Sequence, residues 1–199
     1  MTDSKINSLL DEGNNIFLQG KFNEAIGYYD KIIDENSLHA SALNNKGYAL
    51  SKLKNYDGAM KCYNDALKIF PEDLALLVNK ISLLRKQGNY VDALSICNSI
   101  LIKNPKYNTV LYHKERILLS MGMFEESISC CDMILDDYPE NADVLFDKSC
   151  SLAMLFQNDE SFNFLERAIS HGMKYKSKAK KSKSFEKLLS EPKFQNLLT

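Results

Sequence analysis

Apolar residues recur in this chain at helical spacing within short segments, and the same arrangement returns at a constant interval. Leucine holds one position in successive copies: Leu9, Leu43, Leu77, Leu111 and Leu145. Small residues hold another: Ala25, Ala59, Ala93, Ser127 and Ser161. A fixed period of about 34 residues, shared by several positions, is the sequence signature of a helical solenoid. The pattern therefore predicts an all-α array of repeated units.

Each unit is predicted to contain two helices. In residues 40–73, the first helix places apolar or small residues on one face at Leu43, Gly47 and Leu50. The second helix does the same at Ala59, Tyr63, Ala66 and Leu67. The segment KLKNY supplies a break between them, and Pro71 ends the unit because proline cannot continue a helix. One hairpin cannot bury its apolar faces alone, so neighbouring hairpins must stack.

The unit at 40–73 resembles the tetratricopeptide repeat. The resemblance rests on Leu43, Gly47, Tyr56, Ala59, Tyr63, Ala66 and Pro71, which match the family's pattern in order. It extends over five copies, at about 6–39, 40–73, 74–107, 108–141 and 142–175. The resemblance implies a right-handed α-α superhelix of helix-turn-helix repeats.

Later copies depart from the family's pattern at the glycine position. The third to fifth copies have Ile81, Glu115 and Ser149 there. The fifth copy also has Asn158 where an aromatic residue opens the second helix, and Met173 where proline closes the unit. These departures predict looser or altered helix packing toward the C-terminus.

The chain is therefore divided into a repeat array at 1–175 and a lysine-rich connector with capping helices at 176–199. Apolar residues in this last segment need a surface to cover: Phe185, Leu188, Leu189, Phe194, Leu197 and Leu198. We expect them to lie over the exposed apolar face of the fifth repeat. A closing segment of this type resembles those of some prokaryotic, archaeal-type tetratricopeptide proteins.

Charge is unevenly distributed along the sequence. Residues 1–173 carry 17 basic and 24 acidic side chains, a net charge of −7, whereas 174–199 carry eight lysines and two glutamates, a net charge of +6. The lysine-rich segment is either a solvated or partly helical connector or a site for anionic lipid or RNA. No apolar run has membrane-spanning length, and the start MTDSKINSLLDEG lacks the basic and apolar blocks of a signal peptide. A soluble, cytoplasmic protein is expected.

The cysteines follow the repeat period. Cys62 and Cys130 share one position and Cys97 and Cys131 the next, while Cys150 lies on a first helix. A disulfide framework would not be distributed in this way, so reduced and mostly buried thiols are predicted. The alternative is a metal or redox site at Cys130 and Cys131. Adjacent helical residues point about 100° apart, however, and no C-x-x-C motif accompanies the pair.

The sequence offers no catalytic constellation. His39, His113 and His171 lie far apart in the repeat array, and there is no glycine-rich phosphate loop, H-E-x-x-H motif or nucleophile elbow. We predict no enzymatic activity, no cofactor and no metal.

The family resemblance implies that first helices line a concave groove that binds an extended peptide. The candidate contacts are Asn14, Asn45, Tyr48, Asn79, Ser82, Arg85, Tyr112, His113 and Arg116. An asparagine amide carries both donors and acceptors, so it bonds a peptide backbone without selecting side chains. The alternative is that these asparagines are only solvated or cap a neighbour.

A more specific ligand is not supported. Tetratricopeptide co-chaperones hold a terminal carboxylate with two asparagines and three basic residues. Asn14 and Asn45 match the two asparagines, but the basic positions hold Leu10, Ala75 and Asn79. A carboxylate clamp is therefore not predicted.

A lysine column runs along the first helices at Lys46, Lys80, Lys114 and Lys148. It is either a cationic ladder for acidic peptide or nucleic acid, or a set of stems that cover apolar surface while their ammonium groups reach water or neighbouring carboxylates. The second interpretation is favoured because the column borders the packed face.

The sequence thus predicts a non-enzymatic scaffold that binds a peptide or a partner protein in the groove. The alternative is a structural subunit that associates with itself or with another subunit through its ends or cap. No small-molecule substrate and no membrane span are expected, nucleic acid is not favoured, and a homo-oligomer stays open.

Overall fold

The computed structural model describes residues 2–199, which fold into helices and contain no strand. The first ten helices follow one another in this order: α1 (Asp3–Leu18), α2 (Phe22–Glu35), α3 (Ala40–Lys52), α4 (Tyr56–Ile69), α5 (Leu74–Lys86), α6 (Tyr90–Lys103), α7 (Asn108–Met121), α8 (Phe124–Asp137), α9 (Ala142–Met154) and α10 (Asn158–Ser170). The closing segment holds α11 (Lys174–Lys181), a 3-10 helix (Lys183–Leu188) and α12 (Pro192–Leu198).

The chain divides into two compact units, an N-terminal unit that ends at Ile96 and a C-terminal unit that begins at Cys97. In the N-terminal unit, α1 to α4 pack consecutively, and α3 also contacts α5 across the first-helix layer. In the C-terminal unit, α8 packs against α7 and α9, and α10 packs against α9.

Polar side chains set several helix starts. Asn55 Oδ1 accepts the Gly58 N–H at 3.0 Å, and Asp73 Oδ1 accepts the Leu76 N–H at 3.0 Å. Such caps satisfy backbone donors that have no partner within the helix. The identities of Asn55 and Asp73 therefore determine where α4 and α5 begin.

The glycine position of the first two repeats is required by close packing. A Cβ on Gly47 would lie 2.7 Å from Cε1 of Tyr63, and one on Gly13 would lie 2.8 Å from Cε1 of Tyr29. Both tyrosine side chains are buried. Glycine thus lets the tyrosine ring of the second helix lie directly on the first helix.

The departures at this position are matched by a change in the partner. The corresponding position of the second helix holds a tyrosine in the first two repeats, whereas in the C-terminal unit, where Glu115 and Ser149 replace the glycine, it holds Cys131 and Leu165. Where a larger residue replaces glycine on the first helix, a smaller residue replaces tyrosine on the second helix. The predicted change in packing therefore takes the form of an exchange between two facing positions.

Two buried serines accompany this exchange in the C-terminal unit. Ser127 Oγ donates to the Glu115 carbonyl at 3.1 Å, and Ser161 Oγ donates to the Ser149 carbonyl at 2.8 Å. Alanine holds the same position in the first three repeats. The hydroxyls are accommodated because each one bonds a carbonyl of the facing helix.

The closing segment packs on the fifth repeat. Its buried side chains join Phe146 and Phe162 in one cluster: Tyr175, Ala179, Phe185, Leu188 and Phe194. The rings of Phe185 and Phe194 lie 5.3 Å apart between centroids. Leu189, expected on the covering face, is instead 44% exposed at the end of the 3-10 helix.

The turn inside each hairpin contains one residue in the left-handed backbone region. Glycine holds this position three times, at Gly20, Gly88 and Gly122. The other two are Lys54, with φ of 62°, and Phe156, with φ of 60°. A bulky residue such as Phe156 is an outlier in this region.

Candidate peptide-binding surface

Four asparagines on α1, α3 and α5 form a hydrogen-bonded ladder. Asn45 Nδ2 donates to Asn14 Oδ1 at 2.8 Å, and Asn44 Nδ2 donates to Asn45 Oδ1 at 3.3 Å. Asn79 Nδ2 then donates to Asn44 Oδ1 at 2.8 Å. The structure therefore brings the predicted Asn14, Asn45 and Asn79 together, with Asn44 as the link between them.

The ladder is fixed at one end by a buried tyrosine. The Tyr29 hydroxyl donates to Asn14 Oδ1 at 3.0 Å, and burial raises the pKa of this hydroxyl so that it keeps its proton. All four asparagines are half-buried. Asn14 Oδ1 already accepts two hydrogen bonds, but each of the four amides keeps an N–H donor that the ladder does not use. The oxygens of Asn44, Asn45 and Asn79 also keep acceptor capacity, so bonding capacity is left for a ligand.

An apolar pocket borders the ladder. The rings of Phe17 and Tyr48 stack with centroids 5.2 Å apart, and Leu18 is 81% exposed beside them. The cavity measures about 310 Å³ and is lined by Asn14, Phe17, Leu18, Tyr29, Asn45 and Tyr48. We call the ladder and this pocket together the amide surface.

Sequence reasoning missed Phe17, Leu18 and Asn44. Phe17 stands at the third position after Asn14, which puts the two on one helical face. This spacing was the available signal. No signal in the sequence pointed to Asn44, because its hydrogen bonds depend on how neighbouring helices are rotated against each other.

Three cationic side chains lie at the C-terminal ends of α3 and α5: Lys52, Arg85 and Lys86. Lys52 Nζ lies 5.1 Å from the centroid of the Tyr48 ring, and Lys86 Nζ donates to Ser51 Oγ at 3.1 Å. Burial, together with the charges of Lys52 and Arg85, lowers the pKa of Lys86. The predicted Arg85 therefore belongs to a cationic edge of mutually repelling charges. The predicted Ser82 is half-buried one turn before it on α5.

The remaining predicted residues lie together on α7 in the C-terminal unit. The Arg116 guanidinium lies 4.3 Å from the Tyr112 ring centroid, and its Nε and Nη2 are each 2.9 Å from Asp147 Oδ2. His113 meets the Tyr112 ring edge-on at 6.4 Å. Burial raises the pKa of Tyr112 to about 12. Arg116 is thus a paired cation and not a free one.

A buried acid lies beside this arginine. The Glu115 side chain is 0% exposed, and its Oε1 is 3.4 Å from Arg116 Nε. Neither carboxyl oxygen accepts a hydrogen bond from residues 2–199. Burial raises the pKa of Glu115 well above its ordinary value, and the charge of Asp147 raises it further. Glu115 is therefore held in its protonated form more strongly than in the unfolded chain.

Three of the four lysines in the column make local contacts. Lys46 pairs with Asp30, Lys80 Nζ donates to Asn64 Oδ1 at 2.8 Å, and Lys148 Nζ lies 2.6 Å from Asp132 Oδ1. Each partner lies on the second helix of the preceding hairpin. These contacts agree with the interpretation that the ammonium groups reach neighbouring polar side chains.

All five cysteines are free and buried, as predicted. Burial raises the pKa of Cys97 to about 12 and that of Cys130 to about 11, so these thiols stay protonated and unreactive. Among residues 2–199, no three His, Cys, Asp or Glu side chains are placed to hold a metal ion. No helix in the described chain combines the length and the apolar character needed to cross a membrane.

Residues 40–73 match the family model of the tetratricopeptide repeat. No curated protein sequence matches the chain. Several solved structures are similar in fold. A tetratricopeptide repeat protein from Parabacteroides merdae is 18% identical, with a TM-score of 0.82 over 98% of this chain and 77% of that one.

Two further structures bear names. YrrB, described as a TPR protein with an unusual peptide-binding site, is 20% identical, with a TM-score of 0.67 over 81% of this chain and 84% of that one. MamA is 14% identical, with a TM-score of 0.72 over 92% of this chain and 97% of that one.

Successive helix-turn-helix hairpins define a helical-repeat protein. Residues 40–73 are a tetratricopeptide repeat, and the described chain has the tetratricopeptide-repeat fold. The predicted all-α fold class and the resemblance to this family are thereby confirmed.

Proposed function

We propose that this protein is a non-enzymatic scaffold whose amide surface binds an extended peptide segment of a partner protein. The observation that carries the proposal is the asparagine ladder beside the open Phe17–Tyr48 pocket. The fold supports it, since one structure of similar fold is described as having a peptide-binding site. A cytoplasmic location remains a prediction of the sequence.

Binding combines backbone bonding with one apolar anchor. The amides donate to and accept from the peptide backbone, each net hydrogen bond contributing about 1 kcal/mol. The pocket takes an apolar side chain between Phe17, Leu18 and Tyr48. Because the ladder and Tyr29 hold the amides in place before binding, less conformational entropy is lost when the peptide arrives.

The cationic edge adds a preference of charge. Lys52, Arg85 and Lys86 repel one another, so a carboxylate placed between them is favoured. We expect the bound segment to carry an acidic residue on the side of its anchor that faces α5. Ser82 lies on the same helix and is proposed as a further polar contact.

Tyr112, His113 and Arg116 are proposed as a second set of contacts, within the C-terminal unit. Arg116 is already paired with Asp147, so it does not offer an unpaired positive charge. It offers instead the flat face of its guanidinium group, next to the Tyr112 ring. Their contribution to affinity is expected to be smaller than that of the amide surface.

Paired variants on one helix test the proposal. Peptides are selected from a random library on the full chain, labelled and measured by fluorescence anisotropy. Asn14→Ala removes the acceptor of two ladder bonds, and we expect roughly tenfold weaker binding. Asn15→Ala is the control, because Asn15 is the adjacent, exposed residue of the same helix.

The second variant pair extends the test. Asn45→Ala with Asn79→Ala should abolish capture of the selected peptides and leave helicity unchanged, with a modest decrease in melting temperature because three ladder bonds are lost. Selected peptides that bind these variants as tightly as the wild type would contradict a role of the amide surface.

A further inference from the structure

The turn between α9 and α10 contains a strained residue. Phe156 has φ of +60°, at the position where Gly20, Gly88 and Gly122 stand in three other hairpins. A side chain in this region crowds its Cβ against the backbone, so an aromatic residue there is unfavourable.

Burial does not offset this strain. The Phe156 side chain is 68% exposed, so little apolar surface is removed from water by folding. Glycine at the same position in three turns shows that the hairpin does not need an aromatic residue. Strained residues of this kind concentrate at sites of binding, where the side chain serves a ligand rather than the fold.

Phe156 stands at the edge of a cleft between the fifth repeat and the closing segment. The cleft measures about 260 Å³, with Met154 and Phe156 on one side and Leu188 on the other. Small-molecule sites usually measure about 300–1,000 Å³, so this volume suits a single side chain better than a whole ligand. Methionine adapts its shape to different apolar partners.

The rim of the cleft is cationic. Lys183 and Lys187 line it, and Lys187 Nζ lies 4.9 Å from the centroid of the Phe156 ring. Lys180 and Lys181 are exposed just before it, at the end of α11. Within residues 2–199 none of these four lysines forms an ion pair, whereas Lys178 is paired with Asp143.

We propose that this cleft, the cap cleft, binds an apolar side chain of an acidic peptide segment from a partner protein. Phe156 and Met154 contact the anchor, and carboxylates beside the anchor pair with Lys183 and Lys187. The segment from 174 to 199 has a net charge of +6, which complements such a partner. The site is separate from the amide surface and does not depend on it.

The shape of the cleft favours a peptide over other anionic partners. A bilayer takes up apolar groups that protrude, and here Phe156 is strongly exposed, but Leu188 inside the cleft is buried and can be reached only by a side chain that enters the recess. Glu186 also lines the cleft and can accept hydrogen bonds from the N–H groups of a peptide backbone, whereas a phosphodiester has no hydrogen to donate.

The Phe156→Gly variant separates binding from folding. Glycine is the residue of the equivalent turns, so we expect a melting temperature equal to or higher than that of the wild type. Peptides are selected from a random library on the wild-type chain and then depleted on the glycine variant. The surviving peptides should carry Leu, Met or Phe next to Asp or Glu and bind the variant at least about tenfold more weakly.

Charge reversal provides an independent measurement. Lys183→Glu with Lys187→Glu should weaken the same peptides about tenfold, whereas Lys5→Glu with Lys61→Glu makes the same change of charge in the N-terminal unit and should have little effect. Vesicles containing phosphatidylserine and a single-stranded RNA are tested in parallel. A lower melting temperature of the glycine variant, equal peptide binding by it, or Phe156-dependent binding of vesicles or RNA alone would overturn the proposal.

Discussion

Glu115 makes stability depend on pH through one side chain. Its pKa is raised in the folded state by burial and by Asp147, so the folded chain holds the proton more tightly than the unfolded chain. The resulting stabilisation is complete below the unfolded pKa, near 4.5, and is lost as the pH rises through the higher folded pKa. Asp147 titrates together with Glu115, so the two act as a pair.

We therefore predict that the free energy of unfolding falls as the pH rises above about 4.5, and that Glu115→Gln reduces this fall. Glutamine keeps the shape of the protonated acid but cannot ionise. Urea unfolding at a series of pH values measures the effect. Glu125→Gln, at an exposed position of α8, is the control. Equal pH slopes in the wild type and the Glu115 variant would contradict the prediction.

Gly47 permits a second test at a single position. Alanine there places a Cβ 2.7 Å from the Tyr63 ring, and such overpacking costs about 1–3 kcal/mol. At Gly27, also in a helix, an added Cβ meets nothing within 4 Å. Gly27→Ala should therefore stabilise the protein by about 0.5–1 kcal/mol. Chemical denaturation of both variants checks the opposite signs, and a shared sign would contradict the packing account.

Among the elements, the closing segment contributes several buried aromatic side chains to one cluster. Phe194 on α12 is fully buried against Phe162 and Phe185, so Phe194→Ala should destabilise by about 3–5 kcal/mol. Leu189 in the same segment is 44% exposed, so Leu189→Ala should change stability by about 0.5 kcal/mol or less. Thermal unfolding of the two variants distinguishes them. Similar losses would show that the segment does not cover the fifth repeat as described.

At the scale of elements, the period was sufficient to predict the hairpins. A side chain that recurs once in every repeat has an equivalent neighbour each time. The surroundings of a recurring glycine or lysine can therefore be predicted from its place in the repeat. Lys46 and Lys148 illustrate this, since each reaches an acid on the preceding helix. Gly13 and Gly47 illustrate it for packing.

Features that break the period could not be predicted in this way. The raised pKa of Glu115 results from its own burial, and the link through Asn44 depends on the rotation of neighbouring helices. The backbone strain at Phe156 is visible only when φ is known, although a phenylalanine in the glycine column of the turns was a signal in the sequence. The individual contacts of the candidate site therefore required coordinates, whereas its location on the first helices did not.

For the whole molecule, the opposite charges of its segments raise the question of self-association. Residues 1–173 carry a net charge of −7 and residues 174–199 a net charge of +6. At about 0.15 M salt such exposed charges interact only within about 8 Å. We expect the chain to sediment as a monomer at all concentrations under these conditions. A mass that increases with concentration would favour the alternative of a structural subunit that associates with itself.

The free thiols provide natural probes of local opening in this protein. Cys62, Cys97, Cys130, Cys131 and Cys150 are spaced along α4, α6, α8 and α9. A thiolate attacks an alkylating reagent only when the two can meet, so each buried sulfur reacts only when its hairpin transiently separates from its neighbours. The rate at which each cysteine is modified would thus report the local opening of its own repeat, without any engineered probe.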